Sequence, residues 1–224
     1  METGLAEFAR NALLISGALF PIVNPLGNAP IFLTLTRGFT SDMRTVLARK
    51  IALNGFVLLV ASILIGTNIL AFFGISLPVV QVGGGMVVIA TAWSLLNRKD
   101  ELDGRQASKH SASASDLSRR AFYPLTLPLT VGPGSISVAI TLGANRPSGS
   151  EPHWSYLTAA ILGAAFVAIT IYLSYRFAES LARVFGDTAM NVVIRLSSFI
   201  LLCIGVQIGW NGVSALLRSV LVRP

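Results

Sequence analysis

Charge is scarce in this chain: Asp, Glu, Lys and Arg make up only 12% of its 224 residues, whereas 53% are hydrophobic and the mean hydropathy is +0.70. A soluble domain is about 25% charged, so this composition excludes one and indicates a polytopic membrane protein. Acid is the rarer sign. Glu2, Glu7, Asp42, Asp100, Glu101, Asp103, Asp116, Glu151, Glu179 and Asp187 all fall near or beyond the ends of the apolar runs, so no buried carboxylate proton relay is expected. Cysteine occurs once, as Cys203 in an apolar run, which rules out an internal disulfide and suits a small packing residue. The two histidines, His110 and His153, lie outside the apolar runs, which argues against a metal pair or a catalytic imidazole at depth. No serine and aspartate constellation makes a protease case. The expectation is therefore a non-enzyme with no metal and no cofactor, a coupling proton or Na+ apart.

What the chain has in quantity is apolar sequence. Six stretches are long enough to cross a hydrocarbon core of about 30 Å: 5–36, 46–71, 77–96, 121–144, 154–175 and 192–217. The apolar stretch after residues 1–10 shows no small-residue cleavage pattern and reads as a retained first span. Residues 97–120 form the only long polar segment, NRKDELDGRQASKHSASASDLSRR, whose composition suits a flexible connector. The chain is thus expected to be one all-α transmembrane domain, with repeat 1 at about 1–96 and repeat 2 at about 121–224. The net charge of +7 sits mostly in short segments between runs, which fits orientation and anionic lipid better than nucleic acid. Thirteen of the 17 Lys and Arg fall on one side of the six spans and four on the other. The positive-inside rule then places the connector in the cytoplasm and both termini outside.

Proline punctuates the first span of each half. Pro21, Pro25 and Pro30 are matched by Pro124, Pro128 and Pro133, each pair 103 residues apart. Each such break forfeits a backbone hydrogen bond, at about 3 kcal/mol, where hydrocarbon supplies no water to replace it. Three spans on either side of the connector mean that the second half enters from the opposite face. Matching breaks in such halves point to a 3+3 inverted repeat with helices 1 and 4 discontinuous and a site at the repeat interface. In the first break a helix should stop near Asn24-Pro25, and another should begin near Asn28-Ala29-Pro30 with Pro30 as starter. In the second, Gly132-Pro133-Gly134-Ser135 offers the same arrangement with Pro133 as starter. Each new half-helix would aim unpaired N–H groups at an anionic group, and the preceding half would leave carbonyls for a cation or ammonium.

The polar residues available at depth are Asn24, Asn28, Asn54, Thr126, Thr130, Ser135, Ser137, Gln207 and Asn211. Those beside the breaks read as site-lining or as repair of broken backbone bonds. For Asn54, Gln207 and Asn211, hydrogen bonding between helices is at least as good a reading. The run Gly83-Gly84-Gly85 reads as close helix packing.

The passages Phe20-Pro21-Ile22-Val23-Asn24-Pro25-Leu26-Gly27-Asn28-Ala29-Pro30-Ile31-Phe32 and Tyr123-Pro124-Leu125-Thr126-Leu127-Pro128-Leu129-Thr130-Val131-Gly132-Pro133-Gly134-Ser135-Ile136 resemble the MarC family of bacterial and archaeal inner-membrane proteins. The likeness covers nearly the whole chain. It implies kinship with LysE- and TerC-type transporters and transport of neutral amino acids such as glycine and alanine, with cation coupling. It also implies that the broken spans line the substrate path, which here means Asn24, Pro25, Gly27, Asn28, Pro30, Pro128, Gly132, Pro133 and Gly134; the reading of the residues adds Thr126, Thr130 and Ser135. The expected activity is secondary transport of small neutral amino acids or similar zwitterions across the inner membrane. A channel-like pore and a non-transporting scaffold or stress protein remain as alternatives. The expected partners are the lipid bilayer, the solute and a second copy of the chain, with no nucleic acid.

Overall fold

The computed structural model describes residues 2–97, 114–145 and 153–221. Most of the expected connector, including Lys109 and His110, lies outside them. Among the described residues every regular element is helical: α1 (Glu2–Val23), α2 (Pro25–Leu35), α3 (Ser41–Phe72), α4 (Leu77–Leu96), α5 (Ala114–Arg120), a wide π-type turn of helix at Ala121–Thr130, α6 (Pro133–Ala144), α7 (His153–Arg176) and α8 (Ala178–Leu221). By length and composition five helices qualify as spans, and six if Leu117–Thr130 and Pro133–Ala144, bent by 70°, count as one. The six apolar runs correspond to these. Residues Ala6–Leu35 qualify as one span although α1 and α2 meet inside it.

Local chemistry sets the element ends. Thr40 caps α3, its side chain accepting from Met43 N at 3.3 Å, and Asp42 sits in the first turn, where the positive helix end favours it. Within α8, Gly186 has φ 68° and ψ 170°, a conformation that glycine alone adopts readily. The apolar span starts beyond it, at Asn191.

Small residues bring the helices together. A Cβ added to Gly85 of α4 would lie 2.6 Å from the Gly209 nitrogen and 2.8 Å from the Gly205 oxygen, both on α8. One on Gly212 would lie 2.5 Å from the Pro78 oxygen. Gly84 faces Ser137 of α6, whereas a Cβ on Gly83 would meet nothing within 4 Å. Two of the three consecutive glycines are therefore packing contacts, as small residues are where apolar surface alone gives no driving force. We expect Gly85→Ala to lower stability in detergent by about 1–3 kcal/mol. Gly83→Ala should raise the melting temperature slightly, since helix propensity favours alanine by about 1 kcal/mol. Thermal unfolding of the two variants checks this, and equal shifts would refute the contact.

At one end of the bundle, Arg44 pairs with Glu179 and donates from Nε to the Thr36 carbonyl at 3.2 Å. Lys50 Nζ donates to Ser118 Oγ at 2.5 Å, and the Arg120 guanidinium lies 5.7 Å from the Phe39 ring centre. Segments that the charge count assigns to one side of the membrane thus meet there.

Candidate functional site

The first break is a single residue. Asn24 takes left-handed backbone angles, φ 47° and ψ 58°, and serves as the cap of α2: its Oδ1 accepts from Gly27 N at 3.2 Å. Asparagine is among the few non-glycine residues that visit this region. Gly27 is needed for the cap, because a Cβ there would lie 2.7 Å from Asn24 Oδ1. Pro25 occupies the first helical position and Pro30 lies inside α2. The second helix therefore does not begin at Asn28-Ala29-Pro30. Asn24 wins because it supplies both the tolerated turn and the capping oxygen directly before a proline.

The second break is larger. Tyr123 and Leu127 have extended backbone angles within Ala121–Thr130, and the Tyr123–Pro124 and Leu127–Pro128 peptides are cis. Threonines make the repairs: Thr126 Oγ1 donates to the Ala121 carbonyl at 2.7 Å and Thr130 Oγ1 to the Leu125 carbonyl at 2.6 Å. The Val131 amide donates to the Thr126 carbonyl at 2.8 Å. Here α6 begins at Pro133 with Gly132 as its cap, as the sequence predicts, and no side chain caps it. Its first intrahelical bond is Ile136 N to Gly132 O, 3.1 Å. The Gly134 and Ser135 amides precede that bond and have no place in the helical ladder.

Asn28 joins the two breaks. Its Nδ2 donates to the Val23 carbonyl at 2.9 Å and to the Leu129 carbonyl, 101 residues further on, at 3.1 Å. Between the breaks lies a cavity of about 200 Å³. Asn24, Asn28 and Thr130 contribute polar groups to its wall, and Pro128 with residues 132–135 adds the start of α6. The remaining wall is aliphatic apart from Thr91: Ile22, Val87, Val88, Leu95, Leu129 and Leu201. Asn24 is 8% exposed, and its Nδ2 is a buried donor with no hydrogen-bond partner. A buried unpaired amide donor is disfavoured unless something that accepts is meant to meet it.

Not every predicted residue reaches the cavity. Pro25, Gly27, Pro30 and Thr126 are absent from its lining; Pro25 and Gly27 shape the cap, and fully buried Thr126 repairs backbone. The expectation of free carbonyls also needs correcting, since those of Val23, Ala121, Leu125 and Leu129 each accept from a protein group. Gln207 and Asn211 do not bond between helices; Gln207 Nε2 donates to Asn211 Oδ1 at 2.9 Å within α8.

Several residues of the site region have no signal in the sequence: Val87, Val88, Thr91, Leu95 and Leu201 of the wall, and Tyr175 beside it. Tyr175, 1% exposed, stacks on Phe32 with ring centres 4.6 Å apart and shares a 2.8 Å hydroxyl hydrogen bond with Thr130. It ties α7 to α2 and to the segment Ala121–Thr130 from outside the cavity.

The pattern described as MarC family integral membrane protein matches residues 11–217. Membrane protein YvbG of Bacillus subtilis is 33% identical over 208 residues, covering 90% of this chain and 95% of that one. Membrane protein YhcE of Escherichia coli strain K12 is 29% identical over 205 residues, 91% and 92% of the two chains. The inner membrane protein MarC of Escherichia coli strain UTI89 is 28% identical over 205 residues, 90% and 93%. No solved structure matches the chain.

Proposed function

The chain belongs to the MarC family of integral membrane proteins, and on that premise we propose that it is a secondary transporter of small neutral amino acids, glycine- or alanine-like, or of similar zwitterions. The observation that carries this reading is a cavity walled by Asn24, whose Nδ2 is a buried donor with no partner, and by the start of α6, which no side chain caps. Together they suit a carboxylate, which the positive helix end attracts without any charged side chain. At roughly 30 Å³ per water, a cavity of about 200 Å³ holds a solute of about six or seven heavy atoms. Leu129 keeps a second lone pair on its carbonyl after serving Asn28, and an ammonium group can be met there.

The reading takes the molecule as a carrier and not an enzyme, coupled to a proton or Na+, and resident in the bacterial inner membrane. It arranges the spans as a 3+3 inverted repeat with both termini periplasmic, which brings the two broken spans to a shared midplane site.

The test is counterflow. Liposomes containing the purified protein and loaded with unlabelled alanine should accumulate external labelled glycine or alanine transiently and saturably. Failure with every neutral amino acid would remove the substrate assignment, and non-saturating conductance would replace the carrier by a channel.

A further inference from the structure

We propose that the outward face of α8 is a self-association surface, on which two copies of this chain pair through Gln207 and Asn211 near the centre of the membrane. The first observation is depth. Arg195 and Arg218 bracket the apolar part of α8, with Gln207 12 residues after one and 11 before the other. At 1.5 Å per residue that puts Gln207 about 17 Å from either charge, near the middle of a hydrocarbon layer of about 30 Å.

The second observation is exposure. Gln207 and Asn211 both face outward, and their side chains bond only to each other, Nε2 to Oδ1. A primary amide offers two donors and two acceptor lone pairs, so this contact leaves most of the pair's capacity unused. Lipid tails cannot fill it. The amides at 207 and 211 are self-complementary, each group donating and accepting, and the same pair on a second α8 supplies what is missing.

The third observation is spacing. Leu196, Ile200, Cys203, Gln207, Trp210 and Leu217 are all exposed, and with half-buried Ser214 they follow one another at intervals of four and three residues. That is the repeat by which two helices interlock side chains at a shallow left-handed crossing. The stripe includes Gln207, has Asn211 at its edge and lies opposite the face, Gly205 and Gly212, that packs on α4. Polar side chains that bond across helices, set within an interlocking stripe, are how membrane helices associate. A two-fold axis normal to the membrane makes the contact closed and parallel.

Cys203 makes the interface readable in the unmodified protein. It is exposed, the sole cysteine, and one helical turn from Gln207, so a parallel pair brings the two thiols close to the axis. Membranes containing the native chain, treated with a thiol oxidant or a short bismaleimide, should yield a species of twice 23.7 kDa. Cys203→Ser should abolish it. Gln207→Leu with Asn211→Leu should reduce it at least 10-fold while leaving the melting temperature of the detergent-solubilised monomer unchanged, because neither side chain bonds to another helix. Sedimentation of Cys203→Ser in detergent, with and without the two leucines, reports the same equilibrium without the cysteine. Undiminished cross-linking in the double leucine variant overturns the proposal. So does a monomer in sedimentation, or an adduct to a protein of another mass.

Discussion

Asn28→Ala should abolish solute exchange, with initial counterflow falling about 100-fold and the melting temperature dropping as well. The amide of Asn28 serves the Val23 and Leu129 carbonyls together, and both lie where water is scarce. An acceptor left unpaired on burial costs about 1–3 kcal/mol, so two of them amount to about 2–6 kcal/mol, and each 1.4 kcal/mol is a factor of ten. Leu129 lines the cavity, and the Asn28 bond is the one that spans 101 residues of chain. Losing it should therefore let the second break drift from the first, which distorts the site as well as weakening the fold. Asn28→Asp should be worse still, because a carboxylate facing two carbonyls can donate nothing. The check is paired measurement of counterflow and thermal unfolding. Wild-type exchange in Asn28→Ala would mean that the two breaks need not be tied together.

Hydropathy made the spans legible. Residues 77–96 coincide with α4, and the run at 46–71 lies within α3, because a continuous apolar stretch of that length has few other stable outcomes. Pro133 as the start of α6 was legible for a similar reason: proline fits the first helical position, and glycine before it accepts any backbone angle. Pro30 was misread because two Asn- or Ala-preceded prolines stood five residues apart and local sequence ranked neither. The choice falls to a three-atom detail, the reach of Asn24 Oδ1 to the Gly27 amide, which depends on Gly27 lacking a Cβ. Val88 and Leu201 at the cavity, and Tyr175 behind Thr130, were not legible at all. Each is an ordinary apolar or aromatic residue in a span, and only the packing of α4, α7 and α8 against the breaks gives it a place.

The two breaks also differ more than their matched prolines imply. At the first, one left-handed residue suffices, and α1 and α2 remain within a single span. At the second, the chain turns by 70°, and threonine hydroxyls take up the Ala121 and Leu125 carbonyls. A shared spacing of breakers thus marks the two interrupted regions but not the points of interruption, since Pro21 and Pro30 lie inside α1 and α2 whereas Pro133 begins α6. The severity of each interruption follows from the side chains beside it: asparagine capping one, threonines mending the other.

Substitutions at Asn24 should separate backbone from ligand, and they form the sharpest test of the site. Asn24→Gly keeps the left-handed turn at no steric penalty but removes both the cap and the unpartnered Nδ2. Glycine at a cap position costs only a few tenths of a kcal/mol relative to asparagine, so the variant should melt close to wild type while exchange falls at least 10-fold. Asn24→Ala should lose exchange and stability together, since a Cβ in this region costs about 1–2 kcal/mol and the lost cap about 1 kcal/mol more. Asn24→Asp preserves the capping oxygen and replaces the donor by a carboxylate. It should fold, yet repel the anionic end of the solute, and exchange should be lower than in Asn24→Gly. The ordering of exchange, wild type above glycine above aspartate, with stability ordered differently, distinguishes a ligand donor from a structural amide. If Asn24→Gly exchanged solute at the wild-type rate, the unpaired Nδ2 would have no part in binding, and the carboxylate would have to be held by the start of α6 alone.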